Sequence, residues 1–144
     1  MNRLAVAVFA LTLPLGLAGC AHDGAAASAA IGQADLAQVE TITAAQLAAM
    51  VEAGEVVLVD VRTPGEFGEA RLSGALNAPL STFDPASIPM EESRETILYC
   101  RSSFRSGQAA EMLSKHINGK VRHLEGGIIA WQEAGLDTIA EPTD

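Results

Sequence analysis

The sequence predicts an α/β domain built on a central, mainly parallel β-sheet with helices on both faces. Three observations predict it. Val56-Val57-Leu58-Val59-Asp60-Val61 is an almost unbroken apolar run, as expected for a strand covered on both faces rather than one. Residues 96–100 form a second apolar run, which leads into a segment of helical periodicity over residues 106–117. Short strands alternating with helices suit parallel pairing, because each crossover must return the chain to the starting end of the sheet.

The elements follow in order. Thr43-Ala44-Ala45-Gln46 has the spacing of a capping box and precedes Leu47, Met50 and Val51, with Gly54 as a stop. That pattern reads as a short amphipathic helix. The strand over 56–61 comes next, and Ala75-Leu76-Asn77 reads as a shorter one. After the strand over 96–100 comes the helix over 106–117. Its Glu111 lies in the first half and its Lys115 and His116 near the end, matching the helix dipole, and Asn118-Gly119 terminates it. A strand over 121–124 and a helix over 127–133, closed by Gly135, complete the set. No internal repeat is visible.

The chain opens differently. Asn2 and Arg3 form a short basic region without an acid, and residues 4–17 are apolar apart from Thr12, with Pro14 and Gly16 as breakers. This is too short to span a bilayer and has the shape of a signal peptide. It ends in Leu17-Ala18-Gly19-Cys20, which resembles the lipobox of bacterial lipoproteins. Small residues here also suit an ordinary signal peptidase, but a cysteine directly after Leu-Ala-Gly favours lipidation. The resemblance implies cleavage before Cys20, with lipid on its sulfur and on the new N-terminus. Two or more acyl chains anchor stably. Ala21 stands where retention in the inner membrane often uses Asp, so the resemblance implies a protein on the outer membrane facing the periplasm. The expected organisation is a signal peptide over 1–19, a lipidated Cys and Ala-rich flexible tether over 20–38, a domain over 39–140 and a tail over 141–144.

Charge and cysteine count narrow the function. The chain carries 9 basic and 18 acidic residues, a net charge of −9, and loss of Arg3 with the leader makes it more negative. Nucleic acid and anionic head groups should repel such a protein, so membrane attachment is expected to rest on the lipid alone. Of 2 cysteines, Cys20 is taken by lipid, and Cys100 is left without a partner in an oxidising compartment. Such a thiol is either buried or used. His22, His116 and His123 are isolated in sequence and form no ligand cluster.

Cys100 falls where an apolar strand meets a helix start, and ligands of parallel sheets bind beyond the carboxyl ends of strands. The following residues are Arg101-Ser102-Ser103-Phe104-Arg105-Ser106. Successive backbone N–H groups in such a turn, with the positive end of a helix, cradle an anion. The same field favours thiolate over thiol, and Arg101 and Arg105 strengthen it. A cysteine closing an apolar strand is otherwise a buried structural residue. Two arginines and three serines in the next six residues turn the reading towards a nucleophile and its anion site.

These residues carry a resemblance to the rhodanese family. CRSSFRS resembles the family's six-residue active-site loop, from Cys100 to Arg105, with Ser106 following. Asp60-Val61-Arg62-Thr63-Pro64-Gly65-Glu66-Phe67 resembles its D-V-R-x-P-x-E-F segment. Gly74-Ala75-Leu76-Asn77-Ala78-Pro79-Leu80 resembles its G-A-x-N-x-P-L segment. Gly126-Gly127-Ile128-Ile129-Ala130-Trp131 resembles its closing G-G-x-x-A-W. The four occur in family order and cover residues 40–137. The resemblance implies a rhodanese-like fold and a sulfurtransferase cycle without metal or organic cofactor. Cys100 takes a sulfane sulfur from a small donor such as thiosulfate or a persulfide, becomes a persulfide, and passes the sulfur to a thiol or cyanide-type acceptor. It implies that the amides of residues 101–105 hold the persulfide and that Arg105 and Arg101 hold the oxyanion. Related phosphatases place five residues between Cys and Arg; here four separate Cys100 from Arg105, which favours sulfur over phosphate. A persulfide carrier or sulfide-sensing module without turnover is the alternative, and an arsenate- or thiol-redox role is a third reading.

The remaining residues carry simpler expectations. Asp60 is expected to support the active-site loop by accepting hydrogen bonds, or else to cap the next turn. Arg62 and Glu66 are expected to pair at the surface. Ser103 stands where many members of the family have Gly, so a positive φ there implies strain. Phe104 either walls the pocket or turns into the core. Trp131 reads as core, and Glu91, Glu92 and Glu95 as a solvated face. Ala70-Arg71-Leu72-Ser73 departs from the usual Gly-His-Ile-Pro, a change of loop shape rather than of chemistry.

Overall fold

A computed structural model describes residues 37–142; the signal segment, Cys20 and nearly all of the tether lie outside the described residues. The five strands are β1 (Gln38–Ile42), β2 (Val56–Asp60), β3 (Leu76–Asn77), β4 (Glu95–Tyr99) and β5 (Lys120–Leu124). They lie side by side in the order β1-β5-β4-β2-β3, every pair parallel. The helices are α1 (Ala44–Ala53), α2 (Pro64–Glu69), α3 (Phe104–Ile117) and α4 (Gly127–Glu133), with single 3-10 turns at Leu80–Thr82 and Pro85–Ser87.

Strand alternation sorts the central side chains onto two faces. From β2 and beyond, Val57, Val59 and Val61 pack under α3 with its Ala109, Ala110 and Leu113; so do Leu98 and Cys100 at β4. Leu58, Ile97 and Tyr99 face the other way, against Leu47 of α1 and Ile128 and Trp131 of α4. Both faces are therefore dry, which is why β2 reads as a continuous apolar run. Each buried Leu or Val contributes about 1.5–3 kcal/mol. An exposed pair such as Lys115–Glu111, 4.0 Å apart, contributes far less, so apolar faces hold the helices on the sheet.

Two elements were not expected. β1 carries Glu40 and Thr41 among its five residues and is mostly exposed, as suits an edge strand, and Glu40 pairs with Lys120 across the edge. It begins at Gln38, one residue inside the expected tether. α2 is a short helix after β2, opened by a complete Thr63–Glu66 capping box with Pro64 in its first turn. The expected capping box at Thr43 and Gln46 and the stop at Gly54, with φ of 72°, are present in α1.

The direction in which strands are added to the sheet reverses between β2 and β4. From β2 the chain steps to β3 at one edge, and from β4 it steps to β5 on the other side. The carboxyl ends of β2 and β4 therefore flank the crevice where parallel sheets hold ligands. Residues 70–73 beside it are tied down: Arg71 forms an antiparallel bridge with Ile139, and the Leu72 amide donates to the Tyr99 hydroxyl at 3.2 Å.

Candidate active site

Cys100 is the residue immediately after β4, 1% exposed, with its side chain on the α3 face. The expected helix start at Ser106 lies two residues too late. α3 begins at Phe104, so Phe104, Arg105 and Ser106 form its first turn. Their N–H groups are among those a helix leaves unpaired at its start. The carbonyls of Cys100 and Arg101 accept from Ile128 and Ile129 of α4 at 2.9 and 3.3 Å. In a trans peptide the N–H points opposite to its C=O, so the amides of Arg101 and Ser102 face away from α4. Among the described residues, none supplies an acceptor to amides 101–106. The outcome is a run of unpaired donors directly after Cys100.

Two residues hold that loop open. Ser103 has φ 84° and ψ −29°, a left-handed conformation that glycine adopts without strain and a residue with a Cβ does not. Its hydroxyl offsets the strain by accepting from the Gly126 amide at 2.6 Å and donating to the Leu124 carbonyl at 3.2 Å. Gly127 brings α4 against the loop: a Cβ there would lie 2.4 Å from the Cys100 oxygen. Only glycine permits that approach.

Polar groups surround the thiol from α3 and β5. The Ser106 hydroxyl lies 3.5 Å from the Cys100 Sγ, 3.0 Å from the Ser103 carbonyl and 3.1 Å from His123 Nδ1. His123 is buried, and burial holds its pKa below the ordinary histidine value, which favours the neutral ring. In the sequence His123 stands isolated. It enters the site because β5 pairs with β4 in a register that sets it beside Leu98, two residues before Cys100. No local spacing signals such a contact.

The charged residues pair differently from expectation. Arg62 does not meet Glu66 at the surface. It is buried and binds the equally buried Asp60, with Nη2 to Oδ2 at 2.5 Å and Nε to both oxygens at 3.0 Å. Its other bond is to the Ala70 carbonyl at 2.5 Å. Asp60 thus caps and holds the turn after β2, binding Arg62 rather than residues 101–105. Glu66 instead binds Arg105, through two bonds of 2.7 Å. That bond is the main cause lowering the Glu66 pKa from 4.5 to about 2, and the same bond raises Arg105, with a smaller contribution from Cys100. Three guanidinium N–H groups of Arg105 remain for a substrate.

Concavities border this pair on both sides. One of about 290 Å³ is lined by Val61, Thr63, Leu80 and Arg105, and another of about 410 Å³ by Arg62, Glu66, Arg101 and Gln132. Arg101 is exposed at the rim of the second, and Ser102 is exposed in the loop. Phe104 is 75% exposed, so it is not turned into the core, whereas Trp131 is core and donates to the Asp137 carbonyl at 2.9 Å. A third concavity, of about 470 Å³, lies at the opposite ends of β4 and β5 beside Glu91, Glu92 and Glu95, away from Cys100. Glu91 and Glu95 there are bonded to Arg94 and Arg122. Among the described residues no group of three or more His, Cys, Asp or Glu is placed to hold a metal ion.

Residues 43–134, from the cap of α1 to just beyond α4, match the model of the rhodanese-like domain. The chain belongs to the rhodanese-like domain family. An uncharacterized protein of Synechocystis sp. is 43% identical over 100 residues, and the match covers 69% of this chain but 55% of that one. A sulfurtransferase of Allochromatium vinosum is 36% identical over 91 residues, covering 63% of this chain and 85% of its own length. Among solved structures, a rhodanese-related protein from Thermoplasma volcanium superposes with a TM-score of 0.60 at 27% identity, covering 71% of this chain and 99% of the other. In this rhodanese-like domain the matched region contains Cys100, its loop, Glu66, Asp60 and His123, whereas β1 precedes it.

Proposed function

We propose that the protein is a rhodanese-type sulfurtransferase working through a Cys100 persulfide. The observation that carries the proposal is the ring of unpaired amides 101–106 after Cys100, flanked by an Arg105 braced on Glu66. Its likeness to a protein described as a sulfurtransferase supports the same reading.

The steps balance as follows. The Cys100 thiolate attacks the outer sulfur of thiosulfate or of a persulfide. The S–S bond breaks, and its electron pair leaves with sulfite or with the donor thiolate. A persulfide anion remains on Cys100, its terminal sulfur in the amide ring, its charge balanced by Arg105. A thiol or cyanide then attacks that terminal sulfur, and the Cys100 thiolate departs as leaving group. Because Cys100 is 1% exposed, only a slim terminal sulfur reaches it, and the body of the donor stays outside, near Arg101 and Arg105. The four-residue gap to Arg105 makes the same ring small for a phosphate.

The proposal extends to location. Leu17-Ala18-Gly19-Cys20 supports lipidation at Cys20 and a position on the periplasmic side of the outer membrane. Replacing Cys20 by Ala should then release the protein from membranes or leave it unprocessed, and unchanged fractionation counts against the anchor.

The deciding experiment is steady-state release of sulfite from thiosulfate with a thiol acceptor, alongside the intact mass of the protein. The expected result is turnover and a gain of one sulfur, both lost in Cys100→Ser. Turnover by Cys100→Ser sinks the assignment. Loading without turnover assigns the chain to sulfur carriage instead.

A further inference from the structure

We infer that His123 is a positioning residue for the nucleophile: through Ser106 it directs a hydrogen bond onto the Cys100 sulfur. The inference rests on the proposed use of Cys100 only for its meaning in catalysis; the geometry stands without it.

The argument begins with the Ser106 hydroxyl, which has one hydrogen to give and three groups within reach. They are the Ser103 carbonyl at 3.0 Å, His123 Nδ1 at 3.1 Å and the Cys100 Sγ at 3.5 Å. The sulfur is the most distant and competes worst for that hydrogen. If Nδ1 has no hydrogen, it accepts the Ser106 proton itself, and the sulfur is left bare. If Nδ1 carries the hydrogen, it donates to the Ser106 oxygen. The hydroxyl hydrogen is then free for the remaining neighbours, and a thiolate outcompetes a neutral carbonyl. The tautomer of one buried ring therefore decides whether the nucleophile receives this donor.

The surroundings suit a fixed neutral ring. His123 is flanked in the sheet by Thr41 of β1 and Leu98 of β4, and Gly107 of α3 lies against its ring. None of these is charged, and burial alone depresses the ring's pKa. The charge that acts on the sulfur comes from elsewhere: Arg105 interacts electrostatically with Cys100. Protonating the ring keeps a hydrogen on Nδ1, so the arrangement survives acid. The imidazole gains and loses no proton in the cycle; the thiol proton goes to water.

The test uses the full chain and reads the ultraviolet absorbance of the thiolate against pH, with Cys100→Ser subtracted so that Cys20 cancels. His123→Leu removes the donor and His123→Asn places an amide N–H near the Nδ1 position. The midpoint is expected to rise by about one pH unit in His123→Leu and in Ser106→Ala, a roughly tenfold loss of thiolate below the midpoint. His123→Asn should stay within about 0.3 unit of the native chain, and the double variant His123→Leu/Ser106→Ala should match Ser106→Ala alone. An unmoved midpoint in His123→Leu, equal shifts for Leu and Asn, or additive shifts in the double variant would each overturn the inference. Should His123→Leu fail to fold, His123→Gln takes its place: its amide reaches the Nε2 position and leaves Nδ1 empty, so the same rise is expected. No sulfur donor enters the measurement. A chain with this coupling but no sulfur transfer refutes the proposed function alone, and the reverse result refutes this inference alone.

Discussion

Arg105 and Glu66 meet across the crevice in a two-pronged ion pair, both bonds 2.7 Å long, although they lie 39 positions apart in the chain. Glu66 caps α2 after β2, and Arg105 lies in the first turn of α3 after β4. The pair therefore ties together the two loops that bound the site.

Glu66→Gln should loosen Arg105 without unfolding the protein. Both side chains are a little under one-third exposed, so the loss of stability should stay below about 1 kcal/mol. The KM for thiosulfate should rise by about fivefold to tenfold with kcat nearly unchanged, since Arg105 remains but is no longer aimed. The pH dependence has a definite sign. The Glu66 pKa is depressed on folding, to about 2 from 4.5, chiefly by the Arg105 bond. The pair's stabilisation is thus present above 4.5 and lost as pH falls towards 2. Acid-unfolding curves should show that component in the native chain and not in Glu66→Gln.

Ser103 separates strain from bonding. Its φ of 84° is unfavourable for any residue with a Cβ, and its hydroxyl links Gly126 and Leu124. Ser103→Ala keeps the strain and loses both bonds, so it should destabilise by about 1–3 kcal/mol. Ser103→Gly also loses the bonds but relieves the strain, and should fall within about 1 kcal/mol of native. Denaturant titration checks the order; Ala equal to or better than Gly contradicts it.

What this chain displays in its sequence and what only its fold reveals divide along a physical line. Features encoded by neighbours in the chain were legible: the Thr43 cap, the two-faced apolar run of β2, and Cys100 at the end of a strand. α2 carries a local signal too, the capping-box spacing of Thr63 and Glu66, although it is only six residues long. β1 was obscured because an edge strand is half polar and its partner β5 lies far along the chain. Pairings fixed by tertiary contact were not legible. Arg62 could be assigned to Glu66 or to Asp60 by proximity alone, and only burial of the turn selects Asp60. His123 reaches the thiol through strand register, which the sequence does not display.

Gly127→Ala should damage the active-site loop more than the fold. A Cβ there would sit 2.4 Å from the Cys100 oxygen and 2.5 Å from the Arg101 carbonyl carbon, and both are backbone atoms that cannot swing aside. The φ of +59° adds strain. Overpacking of this kind costs about 1–3 kcal/mol. Relief requires moving α4 away, which breaks the bonds from Ile128 and Ile129 that orient the peptides after Cys100. Persulfide formation should fall by at least about tenfold, because the amides no longer converge on one point. Near-native persulfide loading would show that the cradle does not depend on α4.

Arg62→Leu tests whether Asp60 belongs to the loop or to its own turn. Asp60 is 0% exposed and Arg62 4%, so removing the guanidinium strands a buried carboxylate and also leaves the Ala70 carbonyl without its donor. Breaking a buried pair in this way costs about 3–5 kcal/mol, whereas an exposed pair with Glu66 would cost less than about 1 kcal/mol. Replacing both partners, as in Asp60→Asn/Arg62→Leu, removes the stranded charge and should recover at least half of the loss, since desolvation rather than attraction dominates a buried ion. Asp60 remains bonded to the Arg62 amide at 2.9 Å, which Asn can also accept, so the turn itself survives in the double variant. Urea unfolding of the two variants distinguishes the cases. A loss below about 1 kcal/mol in Arg62→Leu would return Arg62 to the surface, and no recovery in the double variant would mean that Asp60 holds something besides Arg62.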